Sequence, residues 1–337
     1  MAQAQPPRKD LFLVWNAFQR RAESLAEIFD LEIRYYHYKW EERNRACKAL
    51  SYIAKAIATL KDLSYFRPRV VFIQLAPTPL LYVVTLYCAF TGSKYISDCH
   101  NTMIYDGPFI KWPFAKSLLR RSLVVLVHND DVKVHTDSLL IPAKVLRDPL
   151  PSLTAPKNIK QISGLNIKET DYVIVPCGMA SDEPIEELFG AARLIPDITI
   201  VLTGFKERLP NRIHQLAPNN IFFTGFLEER EFNALYVHAN VALVLTTREG
   251  TQPSGASEAI SLGVPLVISD IRTTRRLYKD APLYVSNNAS SIAQGLRTAL
   301  AQRYDMAQRI AGLRTELSED ATTQINSLKE ILSNSLD

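Results

Sequence analysis

Glycine is scarce in this chain, with 12 among 337 residues. There is no G-x-G-x-x-G run and no Walker A sequence. Both familiar glycine-built phosphate loops are therefore missing, which argues against a dinucleotide dehydrogenase or a P-loop enzyme. No Asp-x-Asp pair occurs either, so a metal-bridged diphosphate has no obvious ligands and no metal site is expected. Cysteine is sparse. Cys47, Cys88, Cys99 and Cys177 show no C-x-x-C spacing, and thiols this scattered rarely form a zinc site or a disulfide framework. They read as free thiols of a reducing, cytoplasmic compartment. A net charge of +4 is too small to imply a nucleic-acid partner. Long apolar runs are absent: the longest, "PLLYVVTLYCAF" at residues 79–90, is too short to span a bilayer. The opening "MAQAQPPRKD" is polar and carries no apolar signal region.

What is present is the composition of an ordinary globular protein, 47% hydrophobic and 22% charged, at a length that suggests two domains. The first half alternates. "LFLVW" (11–15) reads as a buried strand. A helical pattern follows, with Phe18, Leu25, Ile28 and Phe29 on one face. "LEIRYY", "RVVFIQL", "KYISD" and "LVVLVHN" are further strands. Helices are expected over residues 42–65, over the apolar "PTPLLYVVTLYCAF" and after the turn in "PFIKWPFAKSLLRRS". Such alternation implies parallel strands with helices on both faces. Residues 1–150 thus form an N-terminal domain. Residues 151–170, polar and with Pro151 and Pro156, are the expected linker and hinge. Alternation restarts with "YVIVPC", "ITIVLTG", "IFFTGF", "VALVLTT" and "PLVIS", giving a second domain over 171–305. Helices over 306–337 are expected to pack back towards the first. The fold class is α/β: two doubly wound, Rossmann-like domains facing a cleft, with ligands at the carboxyl ends of strands.

The segment "REGTQPSGASEAISLGVPLVISD", residues 248–270, sits at such an end. Two acids, Glu249 and Glu258, bracket a polar loop. "PSGASEAISLG" reads as a helix start, where free backbone N–H groups and the helix dipole favour an anion such as a diphosphate. Ser254 and Gly255 lie in its first turn. Glu258 has two readings: a capping acid, or a carboxylate whose two oxygens accept from the two hydroxyls of a ribose.

Glu249-Gly250, Glu258-Ala259 and Gly263-Val264-Pro265-Leu266-Val267, in that order, resemble the donor-domain motif of GT-B fold glycosyltransferases, family 4 in particular. "GAARLIPDITIVLTG" and "NNIFFTGFLEEREFNALYVHANVALVLT" extend the resemblance over residues 171–300. It implies a nucleotide-sugar donor site in which Glu258 holds the ribose and Glu249 faces the sugar. Gly250, Thr251, Ser254, Gly255 and Gly204 would line that site. Two departures stand out. The acids are one residue further apart than usual, and Met179 and Pro184 occupy the places of the Arg and Lys that normally neutralise the diphosphate. Lys206, Arg248, Arg272, Arg275 and Arg276 are the substitute cations. In the first half, "YISDCHNTMIYDG" resembles the Asp-x-His-Asn segment of the β-1,4-mannosyltransferases that build lipid-linked oligosaccharides, which also lack the Arg/Lys pair and carry an Asp-Glu stretch like Asp182-Glu183. That likeness implies inversion and a mannose-like donor.

Sugar transfer requires a stabilised leaving diphosphate and, for inversion, a base for the acceptor hydroxyl. Asp98 and Asp106 are the carboxylate candidates and His100 is a candidate for either the base or a sugar contact, with Glu249 at the sugar and Asn101 and Asp106 on the acceptor side of what would be an N-terminal, acceptor-binding domain over residues 1–150. "HNDD" (128–131) reads as a helix N-cap. Phe109, Trp112 and Phe114 beside Lys111, Lys116, Arg120 and Arg121 suit a membrane interface as well as they suit a core-facing helix with a charged back. The expectation is a metal-independent hexosyltransferase with no cofactor beyond its co-substrate, a GDP- or UDP-hexose. It would act on a glycan or lipid-linked acceptor, with a membrane surface as a further partner. A sugar-nucleotide epimerase and a non-catalytic GT-B scaffold are the competing classes.

Overall fold

A computed structural model describes residues 8–104, 107–154, 156, 159–250 and 252–336. The chain divides into two compact units, residues 1–149 with 320–337, and residues 150–319.

The first unit runs β1 (Leu11–Val14), α1 (Arg20–Phe29), β2 (Glu32–Tyr35), α2 (Arg45–Phe66), β3 (Val70–Leu75), α3 (Thr78–Thr91), β4 (Lys94–Cys99), α4 (Asn101–Ile104), α5 (Ala115–Leu119), β5 (Val124–Val127), α6 (Asp130–Ser138) and β6 (Ala143–Val145). Its six strands are all parallel, in the order β2-β1-β3-β4-β5-β6. A sheet covered on both faces needs strands that are apolar throughout. All six side chains of β3 are accordingly buried. Alternate residues go to opposite faces. Leu11, Leu13, Val71 and Ile73 join one core; Phe12, Val14, Val70 and Phe72 join the other.

The second unit contains β7 (Gln161–Ile162), β8 (Leu165–Asn166), β9 (Tyr172–Val175), α7 (Ile185–Leu194), β10 (Thr199–Thr203), α8 (Asn211–His214), β11 (Ile221–Gly225), α9 (Glu229–His238), β12 (Val241–Val244), α10 (Ser254–Leu262), β13 (Leu266–Ser269), α11 (Arg272–Tyr278), β14 (Leu283–Val285) and α12 (Ala289–Ala301). Here the parallel order is β11-β10-β9-β12-β13-β14.

In both sheets the chain steps outward and then crosses to the other side of its starting strand. The switch points lie between β1 and β3 and between β9 and β12, and ligands of such sheets bind at the carboxyl ends there.

One expectation needs correction, and two features were not anticipated. The stretch 151–170 is not a bare linker. It carries the β7–β8 hairpin, and Ile162 and Ile167 are buried in the second unit's core. The short strands β6 and β14 were not anticipated, because three residues are too few for a readable pattern. The C-terminal helix α13 (Arg303–Leu336) is continuous, and the division between units falls inside it, at 319/320. Its last turns belong to the first unit. Ile325, Leu328 and Leu332 join the core there, Arg147 pairs with Asp320, and the Arg147 amide donates to Gln324 (2.9 Å).

Candidate active site

In the first unit, polar side chains converge at the carboxyl ends of β1, β3, β4 and β5. Arg21, in the first turn of α1, is buried. Its guanidinium donates to both oxygens of Asp98 (2.9–3.1 Å), to Asp148 and to the Leu146 carbonyl (2.8 Å). This forked pairing matches planar guanidinium to planar carboxylate. Burial alone would raise the Asp98 and Asp148 carboxyls and lower the guanidinium. The attraction between the opposite charges outweighs it, so both acids are held below their usual range and Arg21 above its own.

Each acid faces an imidazole. His100 Nε2 is 3.9 Å from Asp98, and His128 Nδ1 is 3.4 Å from Asp148. The two rings meet edge to face at 4.5 Å. Burial, reinforced by the neighbouring His128, lowers the His100 pKa to about 4. The ring is therefore neutral at pH 7. Its Nε2 lies 2.7 Å from the Gln74 amide nitrogen. With the amide donating, the proton of the ring sits on Nδ1. His128 Nε2 is buried without a hydrogen-bond partner among the described residues.

Asp98 is thus fully buried and committed to Arg21, which leaves it poorly suited to take a proton from a substrate. His100, with about a quarter of its side chain exposed, lies beside it. Asn101 opens α4 directly after His100. Asp106 lies outside the described residues. Arg21, His128 and Asp148 belong to the cluster and were not anticipated. Asn129 does cap α6, accepting from the Val132 amide (2.9 Å), but that leaves the preceding His128 to the cluster.

In the second unit, three loops gather at the carboxyl ends of β9, β10 and β12. The loop after β9 folds around Glu183, which accepts from the Gly178 and Ala180 amides (3.0 and 2.7 Å) and the Cys177 thiol (3.2 Å). Asp182 ties this loop to the one after β12. It accepts from the Thr246 hydroxyl (2.9 Å) through its carboxylate and from the Thr247 amide (2.8 Å) through its carbonyl. Met179 and Pro184 lie in the same loop, so its polar contacts are made by backbone and acids. Gly204 ends β10 at φ +97°, and a Cβ there would fall 2.0 Å from the Cys177 carbonyl oxygen. No other residue fits.

The first turn of α10 packs tightly on the switch point. A Cβ on Gly255 would meet Pro176 at 2.5 Å and Val244 at 3.3 Å, and the Tyr236 hydroxyl donates to the Gly255 carbonyl (2.7 Å). Ser254 is exposed at the helix start, and Glu258 is half-buried one turn on, close enough to help raise the Tyr236 phenol, which burial raises first.

Glu249 is placed differently from expectation. Its carboxylate accepts from the Arg272 and Thr273 amides (3.1 and 2.9 Å) and from the Thr273 hydroxyl, and so caps α11. Burial would raise its carboxyl, but these bonds outweigh that and lower it. Gly250, at φ +74°, donates to the same Thr273 hydroxyl (2.7 Å). Arg248 is exposed beside it, Lys206 lies in the 3-10 turn Lys206–Arg208, and Thr251 lies outside the described residues. Of the substitute cations, Arg275 is paired with Asp270 (2.7 and 2.8 Å). Arg208 was not anticipated: it donates to the Gly178 carbonyl (3.2 Å) and lies over the Phe205 ring at 4.9 Å. Phe205 is itself stacked on Phe226 (4.7 Å, 12°), and Phe226 is 67% exposed.

Residues 158–319, nearly half of the chain, match the family described as glycosyl transferases group 1. The chain is a glycosyltransferase. Solved structures share its fold over almost its whole length, and they make that fold GT-B. Sucrose-phosphate synthase from Thermosynechococcus elongatus superimposes with a TM-score of 0.73 at 12% identity, covering 97% of this chain and 100% of that one. HepE from Anabaena, in complex with UDP, gives 0.71 at 13% identity with the same coverage. A putative UDP-N-acetylglucosamine 2-epimerase from Listeria monocytogenes gives 0.63 at 11% identity, covering 96% and 97%. No curated protein matches the glycosyltransferase in sequence. No helix among its described residues is long and apolar enough to cross a membrane.

Proposed function

We propose that this glycosyltransferase moves a hexose from a nucleotide sugar to a glycan or lipid-linked acceptor hydroxyl, without a metal and with no cofactor besides the donor. The observation that carries the reading is α10. Its first two amides, of Ser254 and Gly255, are seated on the β9/β12 switch point by the close packing of Gly255, and Glu258 stands one turn inside. Glu258 holds the ribose diol, and the helix terminus takes the diphosphate together with Arg208, Lys206 and Arg248. The exposed Phe226 ring offers a flat face on which the nucleobase stacks. HepE is described in complex with UDP and with UDP-glucose, which favours UDP-hexoses as first candidates; GDP-hexoses stand beside them through the mannosyltransferase resemblance of residues 95–107.

His100 takes the acceptor proton. A neutral imidazole is available at pH 7, and once protonated it faces Asp98, which Arg21 keeps ionised. With the ring proton on Nδ1, the incoming proton binds at Nε2, where the acceptor hydroxyl takes the place of the Gln74 amide. Asn101 and Asp106 lie on the acceptor side. Glu249 shapes the loop beneath the sugar by holding α11, and takes no proton.

The test is release of nucleoside diphosphate from a panel of UDP- and GDP-hexoses in the presence of EDTA, with sugar acceptors. His100→Ala abolishes transfer while donor binding persists, and Glu258→Ala weakens donor binding. The epimerase reading has one observation behind it, the shared fold. It is adopted instead if the sugar is altered while still attached to its nucleotide. A chain that binds no donor would be a scaffold.

A further inference from the structure

Helix α2 is inside out. Its inward side is partly polar: Ser51, Lys55 and Thr59 are buried, Lys55 in a salt bridge to Glu41 (2.7 Å) and Thr59 accepting from the Trp15 indole (3.0 Å). Its outward side is apolar. Leu50, Ile53 and Ile57 are 59%, 61% and 54% exposed, and Leu60 continues the row. Spacings of 3, 4 and 3 keep these four within about 80° of arc at roughly 100° per residue. A helix normally turns such a stripe towards the core.

The stripe does not stand alone. Helices α2, α3 and α5 lie on one face of the first unit's sheet, α3 packed against both neighbours. Leu86 and Phe90 project from α3, and Trp112 and Phe114 from the loop before α5, with Trp112 6.4 Å from Tyr82 of α3. Phe90 and Phe114 are 83% and 78% exposed. Contiguous apolar exposure of this kind marks a surface with a partner.

The charges around it choose the partner. Helix α3 carries no charged residue, and residues 107–129 contain no acid. The sole acid of α2, Asp62, accepts from the Tyr36 hydroxyl (2.6 Å). Lys61, next to Leu60 on the stripe side of α2, and Lys111 and Lys116, flanking Trp112 and Phe114, are exposed beside the apolar side chains. Aliphatic and aromatic groups interleaved with cations match an anionic lipid interface, where the former enter the acyl boundary and the latter meet phosphates. A second copy of the same face would bring like charges together.

We infer that the outer face of α2, α3 and the loop at Trp112–Phe114 is a docking surface for an anionic bilayer. It binds peripherally, independently of any donor, and would hold the first unit at the place where a lipid-linked acceptor resides.

The test is co-flotation of the full chain with phosphatidylcholine vesicles with and without phosphatidylglycerol, at low and high salt. Binding is expected only with the anionic lipid and is weakened by salt. Ile53→Glu with Ile57→Glu lowers vesicle affinity at least 10-fold. Lys61→Glu with Lys111→Glu lowers it by a similar factor, since each cation near such a surface is worth about 5-fold. All four positions are exposed, so thermal unfolding is expected to stay unchanged and separates lost docking from lost folding. No flotation, or flotation insensitive to both pairs, overturns the proposal. So does a dimer in solution that Ile53→Glu with Ile57→Glu dissolves, because that makes the face a self-association surface. None of these readouts depends on a donor, so failure here leaves the transfer reading standing.

Discussion

Arg21→Ala tests the first unit's cluster most severely. The guanidinium makes three contacts with Asp98, one with Asp148 and one with the Leu146 carbonyl, and Asp98 is fully buried. Removing one partner of a buried ion pair strands the other, at a cost of about 3–5 kcal/mol. For a domain of this size 1 kcal/mol corresponds to roughly 2–4 °C, so the melting temperature falls by about 6–20 °C. The pH dependence follows from the sign of the Asp98 shift. In the native chain its carboxyl is depressed, so its stabilisation is complete above the unfolded value and is lost as pH falls through the folded one. Without Arg21, unopposed burial raises that carboxyl. The folded variant then binds a proton that the unfolded chain lacks, and the defect shrinks as the pH is lowered. Scanning fluorimetry of both proteins from pH 4 to 8 measures this. Arg21 also helps to lower His100 and Asp148, so the same comparison is made in a His100→Gln background, where the difference reports the two carboxylates. Arg21→Ala combined with Asp98→Asn recovers part of the loss. A loss under about 2 °C, or one that grows as pH falls, would refute the reasoning.

Three further outcomes are expected. Between about pH 6.5 and 4 the wild type loses stability, because the unfolded chain protonates His100 before the folded chain does; His100→Gln flattens that slope in the same scans. Glu249→Gln keeps the shape of the α11 cap but removes its charge, costing about 1 kcal/mol at neutral pH and progressively less as the pH falls below the usual glutamate range, as pH-dependent denaturant titrations show. Gly255→Ala drives a methyl group into Pro176 and lifts the start of α10; it costs roughly 1–3 kcal/mol and weakens donor binding, whereas Ser254→Ala, at an exposed position, leaves stability unchanged in the same melts.

The sheets were legible because buried parallel strands read as unbroken apolar runs, from "LFLV" to "LVIS". The turn after α10 was legible too: Gly263 ends the helix at φ +74° and Pro265 leads into β13. What could not be read was contact at long range. Arg21 sits in "QRRAESLAEIF" among other surface-type charges. Its partners lie 77 and 127 residues away, so only the finished sheet makes it a buried ion. The α11 cap made by Glu249 could not be read either, because α11 starts 23 residues later; the resemblance spoke only of the sugar. His128 was masked by the correct reading of its neighbour Asn129 as a cap. For α2 the periodicity announced a helix but not which stripe faced the sheet. That depended on Glu41 and Trp15 being in place to satisfy Lys55 and Thr59.

The central claim is that the second unit binds a nucleoside diphosphate through α10. Isothermal titration of UDP and of GDP into the chain, in EDTA, tests it most directly. One of the two is expected to bind, with Glu258→Ala and Phe226→Ala each lowering the affinity about 10-fold or more and His100→Ala leaving it unchanged. Binding of neither nucleotide, or binding that ignores Glu258, would contradict the account.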